Sequence, residues 1–294
     1  MKVFITGGTG FIGTVVVQKL KAAGHQILGL ARSDESAEKL KAVGAEVIRG
    51  ATTDLDVLKE GAESADGVIH LAFDSDFSRY AAAIAEDLAA IRTIGAALEG
   101  TNKPFVGTSG TLMVSSLGRP ATEMDPAVPG TPRGDAENEV IALAQKGIRS
   151  SIVRLAPSVH DTRMQGLVTI LSGIAREKKV SAYIGDGSKL WPAVYMPDAA
   201  ELFCKALESA SAGTRLHAAA EEGIPAKDIA EAIGRGLNIP VVSLSDEEAK
   251  EHFGLSYTFL LYDNPTSSAL TKEWVGWHPS QRTLADDLKE ALGK

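Results

Sequence analysis

The clearest chemistry in this sequence lies in Thr6-Gly7-Gly8-Thr9-Gly10-Phe11-Ile12-Gly13. A glycine turn opening a helix presents unsatisfied backbone N–H groups and the positive end of the helix dipole to an anion. Gly7 permits the tight turn and Gly10 the approach of a diphosphate. Gly13 lets the helix lie close to the strand. Hydroxyl, imidazole and phenol groups capable of acid–base work follow further on: Ser109, Thr111, His160 and Tyr195. His160 has an ionisation suited to neutral pH. The histidines and acids show no metal-ligand spacing, and no serine hydrolase elbow is present. Arg133 either binds an anionic group or, the reading favoured, is an exposed arginine at a helix start; Cys204 reads as core, and His70 as a satisfied core histidine.

The elements that must position these groups alternate in type. Strands are predicted at Lys2–Ile5, Ile27–Leu30, Glu46–Arg49, Gly67–Leu71, Lys103–Gly107 and Ser151–Leu155. Helices are predicted at Phe11–Ala23, Ser36–Val43, Asp54–Ala62, Ser78–Leu98, Asp135–Gln145 and Asp198–Leu207. Strands separated by helix-length segments predict βαβ units and a parallel sheet covered on both faces. The Pro- and Gly-rich stretch Gly118–Gly134 is the one long irregular loop, placed where such loops frame a ligand crevice. The second half carries aromatics, among them Tyr183, Trp191, Phe203, Phe253, Trp274 and Trp277. They either line an apolar pocket or form the core of a smaller lobe, and the dominance of large aromatics in small cores favours the latter.

Composition bounds the rest. A chain of 294 residues with 44% hydrophobic and 23% charged residues builds a core without staples, in keeping with one cysteine. The net charge of −8 disfavours nonspecific binding to nucleic acid or anionic membrane. No signal peptide or membrane-length apolar run is evident, so the expectation is a reduced, cytoplasmic protein.

The spacing Gly7, Gly10, Gly13 with Phe11-Ile12 resembles the extended short-chain dehydrogenase/reductase family, the class of epimerases, dehydratases and dihydroflavonol-type reductases. Later segments agree in order: Val68-Ile69-His70-Leu71-Ala72, Phe105-Val106-Gly107-Thr108-Ser109, Arg154-Leu155-Ala156-Pro157-Ser158-Val159, Pro197-Asp198-Ala199-Ala200 and Trp274-Val275-Gly276-Trp277-His278-Pro279. The resemblance implies an α/β fold, a Rossmann-type doubly wound parallel sheet with a smaller C-terminal substrate-binding lobe. The division implied is 1–158 for the dinucleotide-binding domain and 159–294 for the lobe, with segments near 190–220 returning to the sheet. A homodimer through helices flanking the sheet would be usual. Thr9, Leu71, Ala72, Phe73, Thr108, Pro157, Ser158 and Val159 are the further cofactor contacts it implies. Phe73 flanks the nicotinamide or belongs to the core. An Asp-Leu pair that contacts adenine in relatives is replaced here, leaving the backbone of Ala51 or Thr52.

The second strand is followed by Ala31-Arg32-Ser33. An acid there would bind a ribose 2′-OH, whereas arginine accommodates a 2′-phosphate. Arg32, with Ser33 as a second donor, therefore predicts NADP(H). The family's tyrosine, and the lysine four residues later, are missing from Pro129–Glu139: depending on register, Thr131 and Asp135 or Pro129 and Arg133 replace them. Ser109 or Thr111, placed on the loop after the fifth strand, would polarise a carbonyl, although one register puts the family serine at Gly110. His160, Tyr195 or water would supply the proton. The leading expectation is an NADPH-dependent reductase of a ketone or aldehyde on a small, fairly apolar molecule. A catalytically silent redox sensor comes second, and a nucleotide-sugar epimerase or dehydratase third.

Overall fold

The structure, a computed structural model, describes residues 1–74, 79–163, 166–280 and 282–293. Its first half runs β1 (Lys2–Thr6), α1 (Phe11–Ala22), β2 (Gln26–Ala31), α2 (Asp34–Ala42), β3 (Glu46–Arg49), α3 (Leu55–Glu63), β4 (Gly67–His70), α4 (Tyr80–Leu98), β5 (Pro104–Gly110), α5 (Pro132–Ala142) and β6 (Arg149–Leu155). The second half adds β7 (Ser158–His160), α6 (Leu167–Lys178), β8 (Ser181–Ile184), β9 (Leu190–Tyr195), α7 (Met196–Ser209), β10 (Thr214–Ala218), β11 (Glu221–Pro225), α8 (Ala226–Leu237), β12 (Val241–Leu244), α9 (Asp246–Phe253), α10 (Tyr257–Leu260), α11 (Ala269–Val275) and α12 (Leu284–Leu292).

Seven strands form one parallel sheet in the order β10-β6-β5-β4-β1-β2-β3. Order reverses between β1 and β4, and a crevice opens at the carboxyl ends of strands at such a switch. The apolar runs bury both faces, as a helix-covered parallel sheet requires. On one face Val3, Ile5, Val106 and Val153 meet Val16 and Leu20 of α1 and Leu202 and Phe203 of α7. On the other, Phe4, Val68, Phe105 and Ile152 meet Leu58 of α3, Ile91 and Ile94 of α4, and Val140 of α5. Each such side chain contributes roughly 1.5–3 kcal/mol of burial.

The smaller lobe packs a third cluster, with Val168, Trp191, Ile229, Ile233 and Leu288 at its centre. Tyr183, Trp191 and Phe253 border a cavity of only about 40 Å³ there. Trp191 and Phe253 are buried there as core residues, whereas Tyr183 is half-buried. Segment 190–195 pairs with β7 and β11 in a second sheet, whereas β10 joins the central one. The indole N–H of Trp277 donates to the Asp198 carbonyl at 3.0 Å, fixing the closing motif on α7.

Three boundaries depart from expectation. β5 continues to Gly110, so Ser109 is a strand residue rather than a loop one, and Thr111 opens a single 3₁₀ turn. α5 begins at Pro132, three residues before the expected Asp135, because proline suits the first helical position. His160 closes β7 instead of lying in a loop. Ser78, the expected start of the fourth helix, lies outside the described residues. No helix among the described residues is long and apolar enough to cross a membrane.

Candidate functional site

The glycine turn bridges β1 and α1 at the switch between β1 and β4. Gly7 has φ +71°, and a Cβ there would sit 2.7 Å from the Ala72 nitrogen. The turn therefore lies directly against the segment Leu71-Ala72 that follows β4. A Cβ at Gly13 would stand 2.0 Å from the Gly7 carbonyl oxygen, which shows how closely α1 approaches the turn. Gly10 caps α1, no acid occupies the first turn, and Gly10 is exposed while Thr9, Phe11 and Ile12 are half-buried. These backbone groups fit a diphosphate: the donors are present and the first turn of α1 carries no acid. The Arg163 guanidinium lies 4.9 Å from the centre of the Phe11 ring and is paired with Asp161 at 2.6 Å.

At the ends of β2 and β3, Arg32 is exposed and makes no hydrogen bond or ion pair among the described residues. Ser33 caps α2, its hydroxyl accepting from the Ser36 N–H at 3.2 Å. Arg49, in register with Ala31, donates to the Ser33 carbonyl at 2.6 Å and pairs with Asp34 at 3.0 Å. Two guanidinium groups thus flank the end of β2. The Ala51 N–H is occupied by Asp54 at 2.6 Å, which leaves Thr52, half-buried beside it.

Beyond the carboxyl ends of β4 and β5 lies a buried polar chain. The Thr6 hydroxyl accepts from the Ala72 N–H at 3.2 Å and meets His70 Nδ1 at 2.7 Å. His70 Nε2 faces Asp87 Oδ1 at 3.1 Å, and Asp87 Oδ2 accepts from Arg133 Nη1 at 3.2 Å. A carboxylate can only accept, so His70 carries its proton on Nε2, and Thr6 donates to Nδ1. Arg133 also donates to the Thr108 carbonyl at 3.2 Å and lies 4.0 Å over the Phe73 ring. The Thr108 hydroxyl donates to the His70 carbonyl at 2.8 Å.

Arg133 is consequently not the exposed helix-start arginine expected from sequence. Its side chain is 15% exposed, because the early start of α5 turns Arg133 and Glu137 together toward the sheet. That start brings Arg133 to the strand ends. Thr131 and Asp135 instead close the local loop through the Val128 carbonyl and the Gly130 N–H.

The hydroxyls differ. Ser109 is 4% exposed and its Oγ has no partner. Thr111 is fully buried, its Oγ1 accepting from Asn264 Nδ2 at 2.8 Å. His160 is 1% exposed and is bound through Nδ1 to Asp287 at 2.6 Å, with Glu221 3.8 Å from Nε2. Burial raises the Glu221 carboxyl above its usual range. Tyr195, half-buried at the end of β9, sits 6.0 Å from His160, ring to ring, and 5.6 Å from the Arg282 guanidinium. His160 and Tyr195 thus form one cluster, beneath α12, while Ser109 and Thr111 sit at the end of β5. Of the segment following β6, Pro157 is half-buried, whereas Ser158 and Val159 are buried, Val159 in the core against α1 and α7.

Arg154 and Glu137, both fully buried, pair through the guanidinium fork. His217 accepts from Arg154 Nη1 through Nε2 and donates through Nδ1 to the Ser267 carbonyl. Burial beside that cation pushes the His217 imidazole down to about 4. Cys204 is a buried thiol, pushed up to about 12 by burial, as a core cysteine should be. No group of side chains among the described residues is arranged to hold a metal.

Residues 3–219 match the family model described as the NAD dependent epimerase/dehydratase family. The chain belongs to that family. Among proteins similar to this epimerase/dehydratase-family chain is C2A9.02 of Schizosaccharomyces pombe, 48% identical, with 98% of each chain covered. A 4-hydroxy-2-methyl-3-oxo-4-farnesyl-3,4-dihydroquinoline-1-oxide ketoreductase of Stigmatella aurantiaca is 30% identical over 53% of this chain and 49% of its own length. The solved structure of gox2253 superposes with a TM-score of 0.79 at 21% identity, covering 98% of this chain and 96% of the other. The family assignment makes this an NAD(P)-dependent type of enzyme on a Rossmann-type fold.

Arg49, Asp87 and Arg163 are the site residues that the sequence did not single out, and Arg133 is the one it placed at the surface. One signal was available: Arg133, Glu137 and Val140 follow the spacing of a single helix face.

Proposed function

We propose that this chain is an NADPH-dependent oxidoreductase that reduces the carbonyl of a small, fairly apolar substrate. The observation that carries the reading is the seat of Arg133: a cation over Phe73, anchored by Asp87 and the Thr108 carbonyl, at the strand ends where the glycine turn meets Ala72. When bound, the nicotinamide cofactor supplies hydride to the carbonyl carbon. The Gly7–Gly13 turn holds the diphosphate, and Arg32 with Arg49 receives the 2′-phosphate. Arg133 uses two of its five N–H groups within the protein and offers others to the oxygen on which negative charge develops. Ser109, buried and without a partner for its Oγ among the described residues, follows in β5 the Thr108 whose carbonyl Arg133 holds. The proton that completes the alcohol comes from water, since Pro129–Glu139 holds no tyrosine. Leu117 and Val128, exposed on the segment between β5 and α5, suit an apolar substrate. The ketoreductase similarity supports the same reaction class.

The lack of a tyrosine and a lysine across Pro129–Glu139 favours a second reading, an NADP-binding regulator without turnover. Oxidation of NADPH against a panel of apolar ketones and aldehydes separates the two. Turnover with any of them supports the reductase; tight NADPH binding with no turnover across the panel supports the regulator.

A further inference from the structure

Beyond the open edge of β10, on the α5 side of the sheet, lies a cleft of about 310 Å³ bordered by Glu123, Met124, Thr214, Arg215 and Trp274. The volume is within the range that takes a small organic ligand. Two opposite charges share this cleft, each with unused bonding capacity. Glu123 is 2% exposed; its Oε1 accepts from the Thr271 N–H at 2.6 Å and the Thr271 hydroxyl at 2.7 Å, while its Oε2 is buried with no partner. Arg215 is 17% exposed and donates through Nε to Glu137 at 3.1 Å, and among the described residues its two Nη groups donate to nothing. Glu123 and Arg215 form no ion pair with each other.

A buried carboxylate oxygen left bare is costly, and a free guanidinium fork matches the two oxygens of a carboxylate. The scaffold holds each charge by its other atoms, Glu123 through Thr271 and Arg215 through Glu137. Neither therefore swings across to neutralise the other. Trp274, 41% exposed, supplies an apolar face on the rim.

We infer that this cleft binds a zwitterionic α-amino acid. Its ammonium group lies on Glu123 Oε2, its carboxylate on the Arg215 Nη groups, and its side chain along Trp274. An amine or a carboxylic acid alone would satisfy only one of the two ends. The site stands apart from the dinucleotide crevice, since β10 is the edge strand of the sheet, three strands removed from β4. It does not depend on the reductase reading.

The test is ligand-observed NMR and calorimetry on the full chain with L-phenylalanine, L-leucine and glycine as probes, and phenylalaninamide and N-acetylphenylalanine as blocked controls. L-Phenylalanine is expected to bind one to one, with each blocked form weaker by about tenfold or more. Glu123→Gln, which keeps the bond to Thr271, and the surface change Trp274→Ala should each weaken it by about tenfold while NADPH affinity stays unchanged. The inference is overturned if none of the three amino acids binds at roughly 10 mM, a concentration that reveals even feeble sites. Equal binding of the blocked forms, indifference of both variants, or occupation of the face by a second copy of the chain at the same concentrations would overturn it as well.

Discussion

Replacing Gly13 by alanine is the sharpest perturbation of the dinucleotide turn. The new Cβ would stand 2.0 Å from the Gly7 carbonyl oxygen, 2.9 Å from the Gly7 carbonyl carbon and 3.0 Å from Gly8 Cα. All three are backbone atoms, so no side-chain rotation relieves the overlap. Since real Cβ contacts essentially never fall below 3.0 Å, α1 must withdraw from the turn by about 1 Å. A displacement of that size costs about 10²-fold where donors are aimed at a fixed group, or about 2.8 kcal/mol of NADPH binding. Overpacking removes about 1–3 kcal/mol of stability as well, lowering Tm by about 2–4 °C per kcal/mol in a chain of this size. Gly24, at the far end of the same helix, is the control. It has φ +84° with nothing within 4 Å of a built Cβ, so Gly24→Ala costs about 1–2 kcal/mol of backbone strain and leaves NADPH affinity alone. Calorimetric titration of the two variants beside the parent chain reads the difference. A Gly13→Ala protein that binds NADPH as tightly as the parent refutes the reasoning.

Other expectations follow from the same geometry. Arg133→Ala should lower kcat/KM by roughly 10²–10³-fold, the usual loss for an aimed donor, and Arg133→Lys should recover part of it by keeping charge without the fork; an unchanged kcat/KM in the alanine variant removes Arg133 from the mechanism. Arg32→Ala combined with Arg49→Ala should weaken NADPH by about tenfold or more while leaving NADH untouched, and parallel losses for both nucleotides would defeat the 2′-phosphate assignment. Thr111→Val strands the buried Asn264 amide and should destabilise the chain by about 1–3 kcal/mol, measurable by denaturant titration; no change would mean that Asn264 finds another acceptor. His217 is depressed from 6.5 to about 4 in the fold, so below pH 6.5 the unfolded chain binds the extra proton first. Stability should fall as pH drops from 6.5 toward 4, by up to about 3 kcal/mol from this group, and level off below that. A stability profile that is flat across that window in the parent, or unaltered by His217→Gln, contradicts the linkage.

The architecture was legible because periodicity carried it. Val3-Phe4-Ile5 and Val68-Ile69 could be only buried strands once helix-length segments separated them, and Gly7–Gly13 marked the turn at the switch. The adenine end was legible in part: Arg32 stands next to Ala31 in sequence, but Arg49 reaches the same place only through the pairing of β2 with β3. The nicotinamide end was least visible. Arg133 depends on where α5 starts, and one extra turn changes an exposed arginine into an inward one. The chain Thr6–His70–Asp87–Arg133 joins four elements, and no local pattern encodes it. His160 looked like an available base, yet its partner Asp287 lies 127 residues away in sequence.

Recognition of a nicotinamide dinucleotide by the turn after β1 underlies every proposed step. Titration of the purified full chain with NADPH and with NADH, each followed by calorimetry, tests that directly. Saturable one-to-one binding of NADPH, tighter than NADH by about tenfold or more, is the result expected. Absence of heat and saturation with both nucleotides would contradict it.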